Sequence, residues 1–172
     1  IQNAFKKKGR SSQLNLWSNL VNGMDNLSFS FFDGIHVPHE DGYFDLVLAH
    51  AVIEHIPRTR LAGILNEIDR VLKRGGYFVI ARTPNKYALT EFLSKSHDTK
   101  YTKKELLELV KNYHSIYYGK TDFFPEMLPG KLQSIWNCFT SPLHWADRII
   151  SHTPLAILSH HHFLILQKLW SR

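Results

Sequence analysis

Three short segments of the 172-residue sequence carry side chains that can bind a polar ligand or move a proton. The segments are Asp33-Gly34, His50 with Glu54 and His55, and Arg82-Thr83-Pro84-Asn85. A carboxylate only accepts hydrogen bonds, so Asp33 suits an amino group. His50 can serve as a general base, because an imidazole with a pKa of about 6.5 accepts a proton near neutral pH. Arg82 can bind an anionic group through its forked guanidinium.

Each of these residues also has a plain structural interpretation. Asp33-Gly34 can be only the turn that ends a strand. Glu54 and His55 can do no more than cap the helix that follows them. A lone arginine such as Arg82 is more often a solvated loop residue. Residue types alone leave these alternatives open.

The elements that would position these segments follow from two short apolar runs. Phe44–Ala49 (FDLVLA) and Tyr77–Ala81 (YFVIA) are typical of parallel strands buried on both faces. Between them, Pro57 begins an amphipathic helix that Gly75-Gly76 is expected to end. The succession predicts a βαβ unit with a right-handed crossover. Ligands bind at the carboxyl ends of such strands, so the three segments are expected at one edge of the sheet.

Weaker patterns continue on both sides of this unit. Leu27–Phe32 alternates as a strand does, and Thr102 with Glu105 forms a capping box at the start of a second helix. Further predictions are strands at Ser115–Tyr118 and Phe163–Gln167, and helical pieces around Ile135 and at Trp145–Ile150.

The same segments carry a family resemblance. The run from Phe44 to Ile56 (FDLVLAHAVIEHI), the run from Leu65 to Ile80 (LNEIDRVLKRGGYFVI) and the following Thr-Pro-Asn resemble the class I S-adenosylmethionine-dependent methyltransferases of the type 11 kind. The resemblance covers about residues 27–88 well. It is looser over 102–123 and 162–168, as the last helix and closing hairpin. It implies an α/β, Rossmann-like methyltransferase fold with S-adenosylmethionine as cofactor.

The resemblance also assigns roles to individual residues. The implied cofactor-binding residues are Asp33 at the adenine amino group, the Gly34 and Ile35 backbone at the ring edge, and Ala49, His50 and Ala51 beside the methionine part. The implied catalytic candidates are His50, Glu54 and His55, and the implied substrate-side residues are Arg82, Asn85 and Tyr87. Methyl transfer is an in-line displacement in which placement supplies much of the catalysis, so no particular base is obligatory.

Parts of the family pattern are missing from the chain. No Gly-x-Gly loop occurs, and Ile1–Lys8 resembles the helix that follows the family's second strand. We therefore expect a partial, N-terminally truncated fold that lacks the first strands and the glycine-rich loop and is inactive alone. Residues 1–172 are expected to form a single domain with an insertion or lid at 123–153. The strand at Leu27–Phe32 should then be displaced or exposed.

The implied function is methyl transfer to a small-molecule acceptor of the sugar, lipid-linked glycan or quinone type, by O- or C-methylation, in the full-length protein. One alternative is a non-catalytic interaction or membrane-surface module with a degenerate methyltransferase fold. A nucleotide-sugar enzyme with a similar sheet is a weaker rival.

Composition narrows the partners and the setting. The net charge of +6 is dispersed and shows no basic stripe with interleaved aromatics, so nucleic acid is not an expected partner. Cys138 is the single cysteine, which fits a reducing, cytoplasmic setting. The consecutive histidines 160–162 would point to opposite faces of an extended segment, so no metal site is predicted. Aromatic and aliphatic residues within 131–153 indicate a lid, a partner surface, peripheral membrane contact or simple packing.

Overall fold

The computed structural model describes residues 24, 26, 27, 32, 34–88, 99–124 and 140–169. The chain divides into two compact units, Ile1–Pro38 and His39–Arg172. The described residues of the first unit include no helix or strand, and all the elements below belong to the second. The expectation of a single domain over 1–172 remains a prediction.

The second unit alternates strands and helices. In chain order they are β1 (Phe44–His50), α1 (Arg58–Val71), β2 (Leu72–Pro84), α2 (Lys103–Leu109), β3 (Tyr113–Thr121), α3 (Thr140–Ile150) and β4 (His161–Lys168). Two 3-10 turns, Ile53–His55 and Pro154–Leu158, precede α1 and β4. None of the described helices is long and apolar enough to cross a membrane.

The strands form one sheet in the order β1-β2-β4-β3. β1 pairs with β2 in parallel, and β4 runs antiparallel to both β2 and β3. The carboxyl ends of β1, β2 and β3 therefore meet the amino end of β4 along one margin, which we call the carboxyl edge. The predicted α/β, Rossmann-like fold is confirmed, including its βαβ unit and closing hairpin.

The core lies where α1 packs against the central strands. Phe78 and Ile80 of β2 and Leu164 and Leu166 of β4 are fully buried. The predicted helical stripe is buried at Leu61, Leu65, Ile68 and Val71. Burying a large aliphatic or aromatic side chain contributes about 1.5–3 kcal/mol, so this cluster is the main source of stability in the unit.

Two local predictions are wrong. β1 was expected to be buried on both faces, yet Leu46 and Leu48 are 54% and 55% exposed, whereas Val47 and Ala49 pack on the core. The reason is that only one face of β1 packs on the core, and no described element covers the other face. The helix was expected to end at Gly75-Gly76, but it ends at Val71, and both glycines lie in an irregular part of β2.

The other local predictions mostly hold. The capping box is present, because the Thr102 hydroxyl accepts from the Glu105 N–H and the Glu105 carboxylate accepts from the Thr102 N–H. The predicted strands at 115–118 and 163–167 lie within β3 and β4, and the helix at 145–150 lies within α3. Leu27 and Phe32 are described outside any strand, and the residues between Leu27 and Phe32 lie outside the described ones, as does Ile135.

Gly76 and Gly63 provide a matched test of this packing. A Cβ at Gly76 would lie 2.9 Å from the Lys73 carbonyl oxygen and 3.0 Å from that of Asp45, whereas one at Gly63 meets nothing within 4 Å. We expect Gly76→Ala to lower the free energy of unfolding by about 2 kcal/mol because backbone must move. Gly63→Ala should raise it by about 0.5–1 kcal/mol as a helix residue. Urea denaturation measures both, and an unchanged Gly76→Ala would contradict the close approach of β1 to β2.

Candidate functional site

The carboxyl edge contains three left-handed residues that are not glycine. Ala51, with φ of 52°, follows β1; Arg82, with φ of 59°, lies near the end of β2; and Asp122, with φ of 62°, follows β3. This conformation costs an L-residue about 1–2 kcal/mol. Strained backbone conformations that cluster at one edge of a sheet are typical of functional sites.

At the end of β1, two residues with small side chains, Ala49 and Ala51, flank His50. Ala49 is buried in the core, His50 is exposed, and the Ala51 N–H donates to the Ala81 carbonyl at 2.9 Å. Because both neighbours of His50 are alanines, a ligand can approach this backbone closely. The structure thus places Ala49, His50 and Ala51 together at the edge.

Only some of the residues that are predicted to contact adenine lie within the described structure. Asp33 lies outside the described residues. Gly34 has φ of 79°, a left-handed conformation that glycine adopts without strain, and Ile35 is exposed. Both belong to the first unit, so their predicted role stays a prediction.

Glu54 is the most unusual side chain of the candidate site. Its side chain is 2% exposed, one carboxylate oxygen is 3.9 Å from His55 Nε2, and the other has no hydrogen-bond partner in the structure described. Neither Glu54 nor His55 caps α1, which starts after Pro57 without a side-chain cap. Burying a carboxyl group without partners costs free energy, and such groups concentrate at functional sites. The capping interpretation is therefore not supported for Glu54.

Tyr101 is a candidate that the sequence patterns did not indicate. It is fully buried, its hydroxyl has no hydrogen-bond partner in the described structure, and the Arg58 guanidinium lies 5.2 Å from its ring centroid. Burial raises the pKa of its hydroxyl, the Arg58 charge opposes this, and the Glu54 charge raises it further. The Thr83 hydroxyl is likewise buried without a partner. No local motif marks Tyr101, because it reaches the edge only through its bridge to Asn85.

The predicted substrate residues after β2 differ in what they contact. The Asn85 amide donates to the carbonyls of Ile157 and Ser159 at 2.8 Å each, and its oxygen accepts from the Tyr87 N–H at 3.2 Å. Asn85 is fully buried and so holds this loop against the turn before β4. Tyr87 is exposed, which leaves its ring available to a ligand. Substrate contact by Arg82, Asn85 or Tyr87 stays a prediction.

The three consecutive histidines have separate surroundings. The His161 Nδ1 lies 2.8 Å from the Asp122 carboxylate, and the His160 ring stacks on that of His161 at 4.0 Å. His162 Nε2 lies 2.8 Å from the Tyr101 carbonyl, which can only accept, so Nε2 carries the proton. His162 Nδ1 therefore accepts from the Tyr118 hydroxyl at 2.8 Å. The described residues contain no group of three or more potential metal ligands.

Two clefts open near these elements. One, of about 470 Å³, lies between α1 and α2 beside Arg58 and Tyr101. The other, of about 380 Å³, is lined in part by Tyr87, Lys103 and Lys120. Neither is lined by His50. We place the candidate site at the carboxyl edge because the left-handed backbone at Ala51, Arg82 and Asp122 lies there. The buried Glu54 carboxyl group follows β1 at the same edge.

Comparison with known proteins finds a family that matches part of the chain. The family described as "Methyltransferase domain" matches residues 6–80, which include β1, α1 and the first part of β2. Residues 6–80 thus resemble the class I S-adenosylmethionine-dependent methyltransferases. The family resemblance and S-adenosylmethionine as the methyltransferase cofactor are thereby confirmed.

Solved structures agree on the fold of this chain. A SAM-dependent methyltransferase from Methanosarcina mazei is 15% identical, covers 94% of this chain and 79% of its own, and gives a TM-score of 0.57. A putative sarcosine dimethylglycine methyltransferase from Galdieria sulphuraria is 12% identical, with 92% and 65% covered and a TM-score of 0.57. The [4+2]-cyclase SpnF is 15% identical, with 93% and 64% covered and a TM-score of 0.63. None of the curated proteins matches the chain significantly.

Glu54→Gln tests whether the buried carboxyl group stabilises the methyltransferase fold. The amide keeps the side-chain shape and removes an unpartnered acidic group, so we expect the free energy of unfolding to stay within about 1 kcal/mol or to rise. Glu105→Ala, which removes the side-chain acceptor of the capping box, should instead lower it by about 1 kcal/mol. Chemical denaturation measures both. A loss above about 2 kcal/mol for Glu54→Gln would give Glu54 a structural role.

His162 should make stability depend on pH. Burial lowers its pKa to about 4 from the usual 6.5. Below pH 6.5 the unfolded chain binds a proton that the folded chain does not, so stability is lost as pH falls from about 6.5 to 4, by up to about 3 kcal/mol. Denaturation at several pH values should show a flatter profile for His162→Gln. The exposed His114, changed to Gln, is the control; equal slopes in all three proteins would refute the assignment.

Proposed function

We propose that the full-length protein transfers a methyl group from S-adenosylmethionine to a small-molecule acceptor at the carboxyl edge. The observation that supports this most is the end of β1, where exposed His50 lies between two alanines and Ala51 is left-handed. This segment lies inside the residues that match the methyltransferase family. Family and site geometry therefore point to the same strand end.

The residues present suit the cofactor. Ala49 and Ala51 would let its methionine part lie against the backbone at the end of β1, and Asp33 would accept from the adenine amino group. When bound, S-adenosylmethionine supplies an electrophilic methyl carbon attached to a positively charged sulfur. The Gly34 and Ile35 backbone would complete the adenine contacts.

The chain's own residues would position the acceptor and take its proton. His50 is exposed at the strand end, where its imidazole could take the proton of an acceptor hydroxyl. The buried Glu54 carboxyl and the exposed His55 ring follow it directly and can orient the acceptor. If these residues hold the acceptor in line with the methyl donor, that alignment would supply much of the rate.

The acceptor class belongs to the proposal as well. We infer O- or C-methylation of a sugar, lipid-linked glycan or quinone from the family resemblance of two short motifs alone, Glu54-His55-Ile56 and Thr83-Pro84-Asn85. Relatives with the same fold carry names as different as a putative sarcosine dimethylglycine methyltransferase and a cyclase, so the fold does not specify the acceptor.

The proposed setting is the cytoplasm, with peripheral membrane contact through 131–153. Trp145 is 70% exposed on α3, and Ile149 is exposed one turn later. Trp136 and Phe139, two further apolar residues of this segment, lie outside the described residues. An exposed aromatic and aliphatic pair at this spacing supports an apolar contact surface.

Cofactor titration of the naturally encoded full-length protein tests the proposal. We expect S-adenosylmethionine to bind, and Asp33→Ala to weaken binding by about tenfold or more, because a charge-assisted hydrogen bond is lost. Asp45→Ala is the matched control, since that carboxylate is exposed and pairs with Lys73 at 2.7 Å. Calorimetry measures all three. Absence of binding to the parent protein would contradict the enzyme and favour the interaction module.

A further inference from the structure

The cleft of about 380 Å³ has an unusual charge pattern. It opens where the end of β3, the start of α2, the turn before β4 and the loop after β2 meet. Its lining residues are Tyr87, Lys103, Tyr118, Gly119, Lys120, Ser151, Ala156 and Ile157. Two of these described lining residues are lysines, and none of them is acidic.

Both lysines are held in place by uncharged partners. The Lys103 ammonium lies 4.4 Å from the Tyr118 ring centroid, and the Lys120 ammonium donates to the Ile157 carbonyl at 3.1 Å. No carboxylate of the described residues forms an ion pair with either lysine. An aromatic ring and a carbonyl can orient an ammonium group but leave its charge unneutralised.

The Tyr118 ring that carries Lys103 is itself fixed. Its hydroxyl donates to Nδ1 of neutral His162, whose Nε2–H donates to the Tyr101 carbonyl. Because His162 is fully buried, this chain of hydrogen bonds joins the wall of the cleft to the core. The cleft wall is therefore pre-organised before any ligand arrives.

The two positive charges act on each other. Burial lowers the pKa of Lys120, and the Lys103 charge lowers it further. Tyr118 and Lys120 are two residues apart on β3 and so lie on the same face, about 7 Å apart along the strand. Lys103 over the Tyr118 ring is thereby close to Lys120, and an anion in the cleft would relieve this repulsion.

We propose that this cleft binds an anionic group, a phosphate or a carboxylate, of the methyl acceptor. The inference rests on the proposed function, because it takes the cleft at the carboxyl edge to be part of the acceptor site. Each ammonium group has three donors, and Lys120 uses only one of them on Ile157. The exposed Tyr87 ring and the Ile157 side chain would contact the less polar remainder of the acceptor.

A purely structural role accounts for only part of the arrangement. A cation on an aromatic ring contributes about 0.5–1 kcal/mol at exposed sites, which explains Lys103 on Tyr118. The contact of Lys103 with Tyr118 does not explain why the ammonium group of Lys120 lines the same cleft, because two like charges close together are destabilising. Anion binding accounts for both.

Isothermal titration of the full-length protein with inorganic phosphate, and separately with acetate, tests the proposal. We expect binding of at least one anion, and the one that binds more tightly identifies the group. Lys103→Gln and Lys120→Gln should each weaken it by about tenfold, the equivalent of one lost charge-assisted hydrogen bond. Lys104→Gln, the neighbouring exposed lysine outside this cleft, should leave it unchanged. Failure of both anions to bind, or equal losses in all three variants, would overturn the proposal.

Cofactor titration of the same proteins separates this proposal from the proposed function. Lys103→Gln and Lys120→Gln should bind S-adenosylmethionine as the parent does. If the parent protein binds the cofactor but neither anion, the proposed anion-binding role of the cleft is refuted. The proposed methyltransferase function is not affected by that result. Anion binding without cofactor binding would refute the methyltransferase, and with it the acceptor role of the cleft.

Discussion

Parallel pairing of β1 with β2 is the constraint on which the candidate site depends. The register from Leu46 opposite Tyr77 to His50 opposite Ala81 makes both strands end at the same margin of the sheet. The Ala51 N–H continues the pairing by donating to the Ala81 carbonyl. A shift of one residue would turn Val47 and Ala49 away from the core and His50 away from its present side. Packing of α1 on the core therefore also determines what the edge presents to a ligand.

Several features of the carboxyl edge lower the free energy of unfolding, and the buried core compensates for this loss. Left-handed Ala51 and Arg82 and the unpartnered groups of Glu54 and Tyr101 each cost of the order of 1–3 kcal/mol. The fully buried side chains of β2 and β4 lie directly behind them. A rigid core next to a strained edge is the arrangement expected where ligand binding must compensate a local cost. Asn85 extends that rigidity into the loop by binding the backbone of the turn before β4.

Much of the fold could be predicted from the sequence because its signals are local. Two apolar runs separated by a helical stripe specify the βαβ unit, and Thr102 with Glu105 specifies the start of α2. The exposure of Leu46 could not be predicted in this way, because it depends on which elements pack on the second face of β1.

The site could be predicted less completely. His50 and Glu54 stand out by type and position after a strand. Tyr101 and the lysine-lined cleft depend on contacts between residues far apart in the chain, such as Tyr118 with His162. Asn85 was predicted from its place after β2, but its internal hydrogen bonds appear only once the turn at Ile157 is packed against it.

Binding of S-adenosylmethionine at the end of β1 is tested most directly by amide hydrogen exchange of the full-length protein with and without the cofactor. We predict that the cofactor slows exchange at Ala51 to Glu54, at the carboxyl edge. Exchange at Lys73 to Gly76, at the opposite margin of the same strand pair, should not slow. Slowed exchange at the opposite margin, with none at the carboxyl edge, would contradict binding at the end of β1.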